Sequence, residues 1–179
     1  MSAASTLPVL LIIASNGFQP MEYGQPKKIL TENGFKVVTA SNKPGTAISS
    51  NGIKAHVDVT TDKVNVQDYQ AIFLVGGPGA LENLDNETTY KIVKQAKELG
   101  KPFGSICIST RILAHAGVIN GKRVTGWDGD NELTGILKDA GAIYTKQRCT
   151  LDPSENIVTA VDPSCAKEFG EKILEVLKK

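Results

Sequence analysis

Cys107 stands between a short apolar run and a helix-like pattern, with Ser105 two residues before it and Ser109 two residues after. Small residues at that spacing are what a nucleophile elbow requires, because bulky neighbours would clash on a strained strand-to-helix turn. A cysteine there meets the positive end of the following helix, which favours thiolate over thiol. The alternative is a buried cysteine that closes a core strand, since free cysteine is among the most buried residue types. Glu22 is the second candidate. It lies four residues before Pro26, which cannot donate the helical hydrogen bond to the carbonyl of residue 22, so the backbone at Glu22 is expected to be irregular or at a helix start. An acid at a helix start suits the dipole. The chemical alternative is a carboxyl aimed at Cys107, where burial and a neighbouring thiolate would raise its pKa and let it donate a hydrogen bond to sulfur. The third candidate is Gly76-Gly77-Pro78-Gly79, whose bare amides could face a ligand or a developing oxyanion, or could simply turn the chain. No Gly-Lys-Ser/Thr follows it, so it is no phosphate loop, and a dinucleotide fingerprint would belong after the first strand.

The elements that must position these residues alternate. Leu7 to Ala14 is a continuous apolar run, as expected of a strand covered on both faces. A helix is expected from about Met21 to Asn33, a strand over Phe35 to Ala40, and a loop over Asn42 to Gly52, which is rich in Gly, Pro and Ser. Ile53 to Val59 alternates weakly, as a strand outside the main parallel set would. Ala71 to Val75 runs into the glycine loop, and Asn86 to Leu99 supplies a helix with Gly100 past its end. Phe103 to Ile106 delivers Cys107, a helix follows to Ala116, and Arg123 to Gly126 is another short strand. A helix from about Asn131 to Ala140 comes next. Ala142 to Arg148 and Asn156 to Val161 are expected to pair antiparallel around an Asp152-Pro153 turn, with Ser164 capping a last helix from Cys165 to Leu177. Strands alternating with helices of this length predict an α/β fold, one unit over residues 1–179, with a mostly parallel sheet and helices on both faces. In such sheets, sites form at the carboxyl ends of strands, where all three candidates fall.

Composition narrows the function classes. The 179 residues carry 20 basic and 19 acidic side chains, a formal net charge of +1, which leaves no electrostatic footprint for nucleic acid or an anionic membrane. Three widely spaced cysteines and two histidines exclude a zinc ribbon or a disulfide scaffold and suit a reducing compartment, with the cytoplasm as the expected location. The first apolar segment is too short to span a bilayer and has no basic region before it.

Asn16-Gly17-Phe18-Gln19-Pro20-Met21-Glu22, Gly76-Gly77-Pro78-Gly79-Ala80 and the run from Phe103 to Thr125 together resemble the ThiJ/PfpI family of the class I glutamine-amidotransferase-like superfamily. The resemblance covers nearly the whole chain, with the motifs in the right order and spacing. It implies a flavodoxin-like three-layer sandwich, usually homodimeric, with an elbow cysteine beside a protonated glutamate and no cofactor or metal. By position, Cys107 matches the nucleophile, Glu22 the glutamate, and Gly77 and Ile108 the backbone donors of an oxyanion site. The implied activities are glyoxalase or deglycase chemistry on 2-oxoaldehydes, peptidase or amidase activity, and oxidative sensing through cysteine.

The chain also departs from that pattern. Many members carry a histidine directly after the cysteine, where this chain has Ile108, and others carry one near the position of Trp127-Asp128. His115 is eight residues beyond Cys107, about 12 Å along a helix, and suits a structural role in a last turn. His56 is expected at the surface unless a dimer partner brings it across. Without a histidine, a Cys–His peptidase loses its general base. Asp128 or Asp130 could complete a Cys–Glu–Asp arrangement, or could simply cap the next helix. Arg111 could add positive potential or point to solvent, and Cys149 and Cys165 are read as incidental. The leading expectation is a cofactor-free enzyme on small reactive carbonyls through Cys107 and Glu22. The alternatives are a redox-responsive, non-enzymatic stress protein that uses Cys107 oxidation, and, further behind, a peptidase or amidase or a flavodoxin-like binding module.

Overall fold

The computed structural model describes residues 7–179; residues 1–6, part of the unit expected over 1–179, lie outside that description. Twelve strands can be followed in it. In chain order they are β1 (Val9–Ile13), β2 (Asn16–Phe18), β3 (Val37–Ser41), β4 (Gly45–Ser49), β5 (Lys54–Val57), β6 (Val59–Thr60), β7 (Ala71–Leu74), β8 (Phe103–Ile106), β9 (Arg123–Val124), β10 (Ile143–Tyr144), β11 (Cys149–Asp152) and β12 (Ile157–Ala160). The helices are α1 (Pro20–Glu32), α2 (Ala80–Leu84), α3 (Glu87–Glu98), α4 (Thr110–His115), α5 (Leu133–Asp139) and α6 (Ala166–Leu177).

The main sheet runs β11-β12-β8-β7-β1-β3-β6, parallel throughout except for β11 at one edge. All five residues of β1 are fully buried, which is why its sequence is apolar throughout instead of alternating. Helices α1 and α6 pack on each other and against β1, β3 and β12, while α3 and α4 pack on each other and against β7 and β8. The result is the expected α/β sandwich, with a largely parallel sheet flanked by helices. β8 owes its depth to Gly104, where any Cβ would run into the Val158 carbonyl of β12. β8, β7 and β1 are adjacent, so the ends that carry Cys107, the glycine loop and α1 emerge side by side.

α1 passes through Pro26 without ending, and Glu22 sits in its first turn. Gln19 caps that turn, its side-chain oxygen accepting from the amides of Met21 (2.6 Å) and Glu22 (3.1 Å). Gly170 of α6 lies directly against Pro26, so the two helices approach closely at the point where α1 lacks a backbone donor.

Three expectations are corrected. Residues 42–52 are not all loop: β4 pairs antiparallel with β5 as a hairpin beside β2, and the Gly- and Ser-rich composition hides an alternation that buries Ala47 and Ser49. The antiparallel partner of β12 is β11, whereas β10 pairs parallel with β9, because the chain between β10 and β11 turns at Lys146 with φ of 57°. Ser164 does not cap the last helix: it lies inside a single 3₁₀ turn, Pro163–Cys165, and Asp162 caps that turn. β5 falls outside the main sheet, as expected.

Candidate active site

β8 delivers Cys107 into a single 3₁₀ turn, Cys107–Ser109, with Cys107 itself at φ of 63°. That region is disfavoured for a residue with a Cβ and costs about 1–3 kcal/mol, so neighbouring contacts must hold it. They do so through the small residues on either side. The Ser109 hydroxyl donates to the Val75 carbonyl (2.8 Å), and the hydroxyls of Ser105 and Thr110 share a hydrogen bond of 2.8 Å. Thr110 also donates to the Thr125 carbonyl (2.9 Å), which ties the turn to the strand-end segment that follows β9.

Glu22 is fully buried, with no exposed surface. Its Oε2 accepts from the Gly76 amide at 2.9 Å, while Oε1 has no hydrogen-bond partner among the described residues. The carboxyl faces the Cys107 side chain: a Cβ at residue 76 would lie 2.6 Å from both Cys107 Cβ and Glu22 Oε2. Burial pushes the Glu22 carboxyl up from 4.5 to about 7; hydrogen bonding to Cys107 and Gly76 opposes this, and the charge of Asp162 adds to it.

The thiol moves the other way from the helix-end expectation. Burial, with Cys107 only 9% exposed, and then the Glu22 carboxylate push it above its ordinary range; the amides of Ile108 and Gly77 hold it down. The helical structure after Cys107 is one 3₁₀ turn followed by the six residues of α4, too short for its dipole to outweigh desolvation. Glu22 and Cys107 therefore titrate as a pair. The species that carries one negative charge can place it on oxygen or on sulfur, with the proton on the other.

The amides of Gly77 and Ile108, the two expected at an oxyanion site, are the backbone groups that hold the Cys107 thiol down. Gly77 can stand there only as glycine, with φ of 123° and space for a Cβ closed by Gln19 N at 2.5 Å. In front of the sulfur opens a cavity of about 600 Å³, bounded by Gln19, Pro78, Ile108, Trp127 and the segment Asp162–Ser164.

The remaining candidates divide. Asp128 accepts from the Leu133 amide (2.8 Å) and the Thr134 hydroxyl (3.1 Å), so it serves the first free amide of α5 and does not line the cavity. Asp130 binds Arg111 Nη2 at 2.6 Å, and Arg111 Nη1 reaches Glu132 at 3.2 Å. Arg111 is thus no solvent-facing cation: it is 3% exposed and lies 5.6 Å from the centre of the Trp127 ring. His115 pairs with Asp85 at 2.8 Å, and His56 is exposed beside Asp58; neither lines the cavity. Cys149 and Cys165 are buried elsewhere, and burial pushes the Cys149 thiol up to about 12. Among the described residues no cluster of three or more His, Cys, Asp or Glu side chains could hold a metal ion, and no helix is long and apolar enough to cross a membrane.

Sequence reasoning missed Asp162, whose signal was an Asp-Pro pair at the carboxyl end of the strand beside β8, and it gave no role to Trp127 or Gln19.

The fold and site define an α/β protein that sets a strained, strand-end cysteine against a buried carboxyl. The chain belongs to the DJ-1/PfpI family, whose model matches residues 8–176, within the class I glutamine-amidotransferase-like superfamily. It is 36% identical over 172 residues to an uncharacterised protein of Methanocaldococcus jannaschii, covering 96% of this chain and 82% of that one. It is 35% identical over 169 residues to a deglycase of Pyrococcus horikoshii, covering 94% of this chain and 99% of the relative. The ThiJ/PfpI domain protein of Brachyspira murdochii superposes with a TM-score of 0.90 at 25% identity, over 98% of both chains.

Proposed function

We propose that the protein is a cofactor-independent enzyme on small reactive carbonyls, of the glyoxalase or deglycase type, with the turn at Cys107 acting as a nucleophile elbow. The observation that carries this reading is Glu22: a fully buried carboxyl whose Oε2 is held by the Gly76 amide next to the Cys107 side chain, with a pKa near neutrality. Such a group can accept and return a proton at physiological pH. Kinship with a named deglycase along nearly the whole chain supports the same reading.

With a 2-oxoaldehyde, the sulfur adds to the aldehyde carbon, the C=O π bond opens, and the thiol proton passes to oxygen to give a hemithioacetal. The amides of Gly77 and Ile108, both acting on the Cys107 thiol, would stabilise the developing oxygen charge. The Glu22 carboxylate then takes the proton from that carbon and returns it to the adjacent one, while the two oxygens exchange a proton. This leaves the cysteine thioester of a 2-hydroxy acid. Water hydrolyses it, so that aldehyde plus water gives the acid and the free thiol, with no external oxidant or reductant.

Cys107→Ser should abolish methylglyoxal consumption and Glu22→Gln should reduce it at least a hundredfold; unchanged turnover in Cys107→Ser refutes the proposal. A Cys–His peptidase is disfavoured, since Ile108 occupies the place next to the cysteine and both histidines lie away from the cavity. The same two amides and the protonated Glu22 would also hold a Cys107 sulfinate, which supports a redox-sensing second reading. Mass spectrometry after mild peroxide should then find two oxygens on Cys107 ahead of Cys149 and Cys165. A homodimer, testable by sedimentation, and a cytoplasmic location complete the proposal.

A further inference from the structure

The walls of the cavity in front of Cys107 are chemically one-sided. Ile108 and Trp127, both half-buried, form one side, and Pro78 and Pro163 add further apolar surface. No Lys, Arg or His lines the cavity among the described residues, and the one acid at its edge, Asp162, is held in place by the amide (2.8 Å) and hydroxyl (2.6 Å) of Ser164. Arg111, the nearest cation to the Trp127 ring, already carries Asp130 and Glu132 and has no charge to spare for a ligand.

Trp127 is fixed. Its amide donates to the Cys107 carbonyl at 3.2 Å, the Arg111 guanidinium lies over its ring, and the indole rests on Gly129, where a Cβ would come within 2.7 Å of Cε2. An aromatic wall held this way is pre-organised, so it loses little freedom when an apolar group is laid against it. A cavity of about 600 Å³ is also far larger than a three-carbon substrate fills.

We propose that this cavity selects uncharged 2-oxoaldehydes whose substituent is bulky and apolar, aromatic or branched, and that Trp127 and Ile108 are the residues that set the preference. The inference rests on the carbonyl reading above and adds to it a substrate class. A carboxylate-bearing carbonyl meets no cation in the cavity and one acid at its rim, whereas a phenyl group removes its own apolar surface and that of both walls from water. Ile108, the residue next to the cysteine, thus becomes part of a binding surface.

The test compares phenylglyoxal, methylglyoxal and glyoxylate by kcat/KM, with mandelate and lactate formation as the readouts for the first two. The wild-type enzyme should favour phenylglyoxal over methylglyoxal at least tenfold, about 1.4 kcal/mol, and should use glyoxylate least. Trp127→Ala and Ile108→Ser should each lower the ratio of phenylglyoxal to methylglyoxal kcat/KM at least fivefold, chiefly through the phenylglyoxal KM. Trp127→Phe, which keeps an aromatic wall, should stay within threefold for both. Equal use of the two aldehydes by the wild-type enzyme, or a preference for glyoxylate, overturns the proposal.

If no aldehyde is turned over, the reaction reading fails and the cavity is judged by binding alone. Trp127 is the only tryptophan, so its indole N–H resonance in Cys107→Ser reports occupancy directly. Saturation by acetophenone at a concentration at least tenfold below that of acetone supports the apolar preference, and equal titrations refute it.

Discussion

Replacing Glu22 by glutamine separates the charge of this side chain from its shape. The amide oxygen can still accept from the Gly76 N–H, which Glu22 Oε2 now does at 2.9 Å, and its NH₂ can face the sulfur. Burial raises the carboxyl from 4.5 to about 7. A raised acid favours the folded state only in its protonated form, so its stabilising share is complete below about pH 4.5 and is lost as the pH climbs to about 7. Each tenfold change in proton affinity is worth about 1.4 kcal/mol, so the loss by pH 8 is roughly 3 kcal/mol. The result does not depend on whether the pair's single charge sits on oxygen or on sulfur, since only the number of protons bound in each state enters. Glutamine never ionises. The variant should therefore match the wild type near pH 4 and exceed it by roughly 3 kcal/mol at pH 8, a Tm gain of about 6–12 °C for a chain of this length. Paired urea titrations at pH 4, 6 and 8 would measure this, with activity lost as stability rises. A difference that is independent of pH, or a less stable variant at pH 8, would refute the claim that Glu22 is held near neutrality by burial.

Three further outcomes follow from the same geometry. Proton abstraction by the Glu22 carboxylate requires the pair to carry one negative charge, so kcat/KM for methylglyoxal should rise about tenfold per pH unit up to about 7 and then level off; Asp162→Asn, which removes a charge that raises Glu22, should move the midpoint down in a stopped-time assay across pH 5–9. Gly76→Ala would set a methyl 2.6 Å from both Cys107 Cβ and Glu22 Oε2 and 2.9 Å from the Ile106 carbonyl, so we expect at least a hundredfold loss of kcat/KM and about 1–3 kcal/mol of destabilisation by denaturant titration. Asp128→Ala should cost about 1 kcal/mol, as lost hydrogen bonds to the Leu133 amide and Thr134 hydroxyl at the start of α5, while turnover stays within threefold; a hundredfold fall in kcat would instead make Asp128 part of the reaction.

The parts of the fold that were legible in the sequence are those where burial on both faces dictates composition. β1, β7 and β8 read as apolar runs because helices cover them from either side, and the Asn86 cap with Gly100 marks the ends of α3 as local chemistry does anywhere. β4 and the partner of β12 were hidden for the opposite reason. β4, in a hairpin outside the main sheet, buries only Ala47 and Ser49 on one face, and a two-residue parallel pair such as β9 with β10 has no period to detect.

The site shows the same division more sharply. Cys107 and its flanking serines are readable because a backbone at φ of 63° restricts its neighbours in sequence. The approach of Glu22 to Cys107 across the sheet, the placement of Asp162, and the sign of the thiol's shift all depend on β1, β7, β8 and β12 standing side by side, which no local pattern records. The dipole at the helix start was visible in sequence and the desolvation that outweighs it was not, because burial belongs to the assembled fold. This changes what the missing histidine means. In the proposed reaction Glu22 is the single proton carrier at the sulfur, because Ile108 next to the cysteine supplies no base and instead gives the cavity, with Trp127, an apolar wall. Ile108 is thus both the absence of the base a Cys–His peptidase would need and a side chain that the proposed hydrophobic carbonyl substrate would contact.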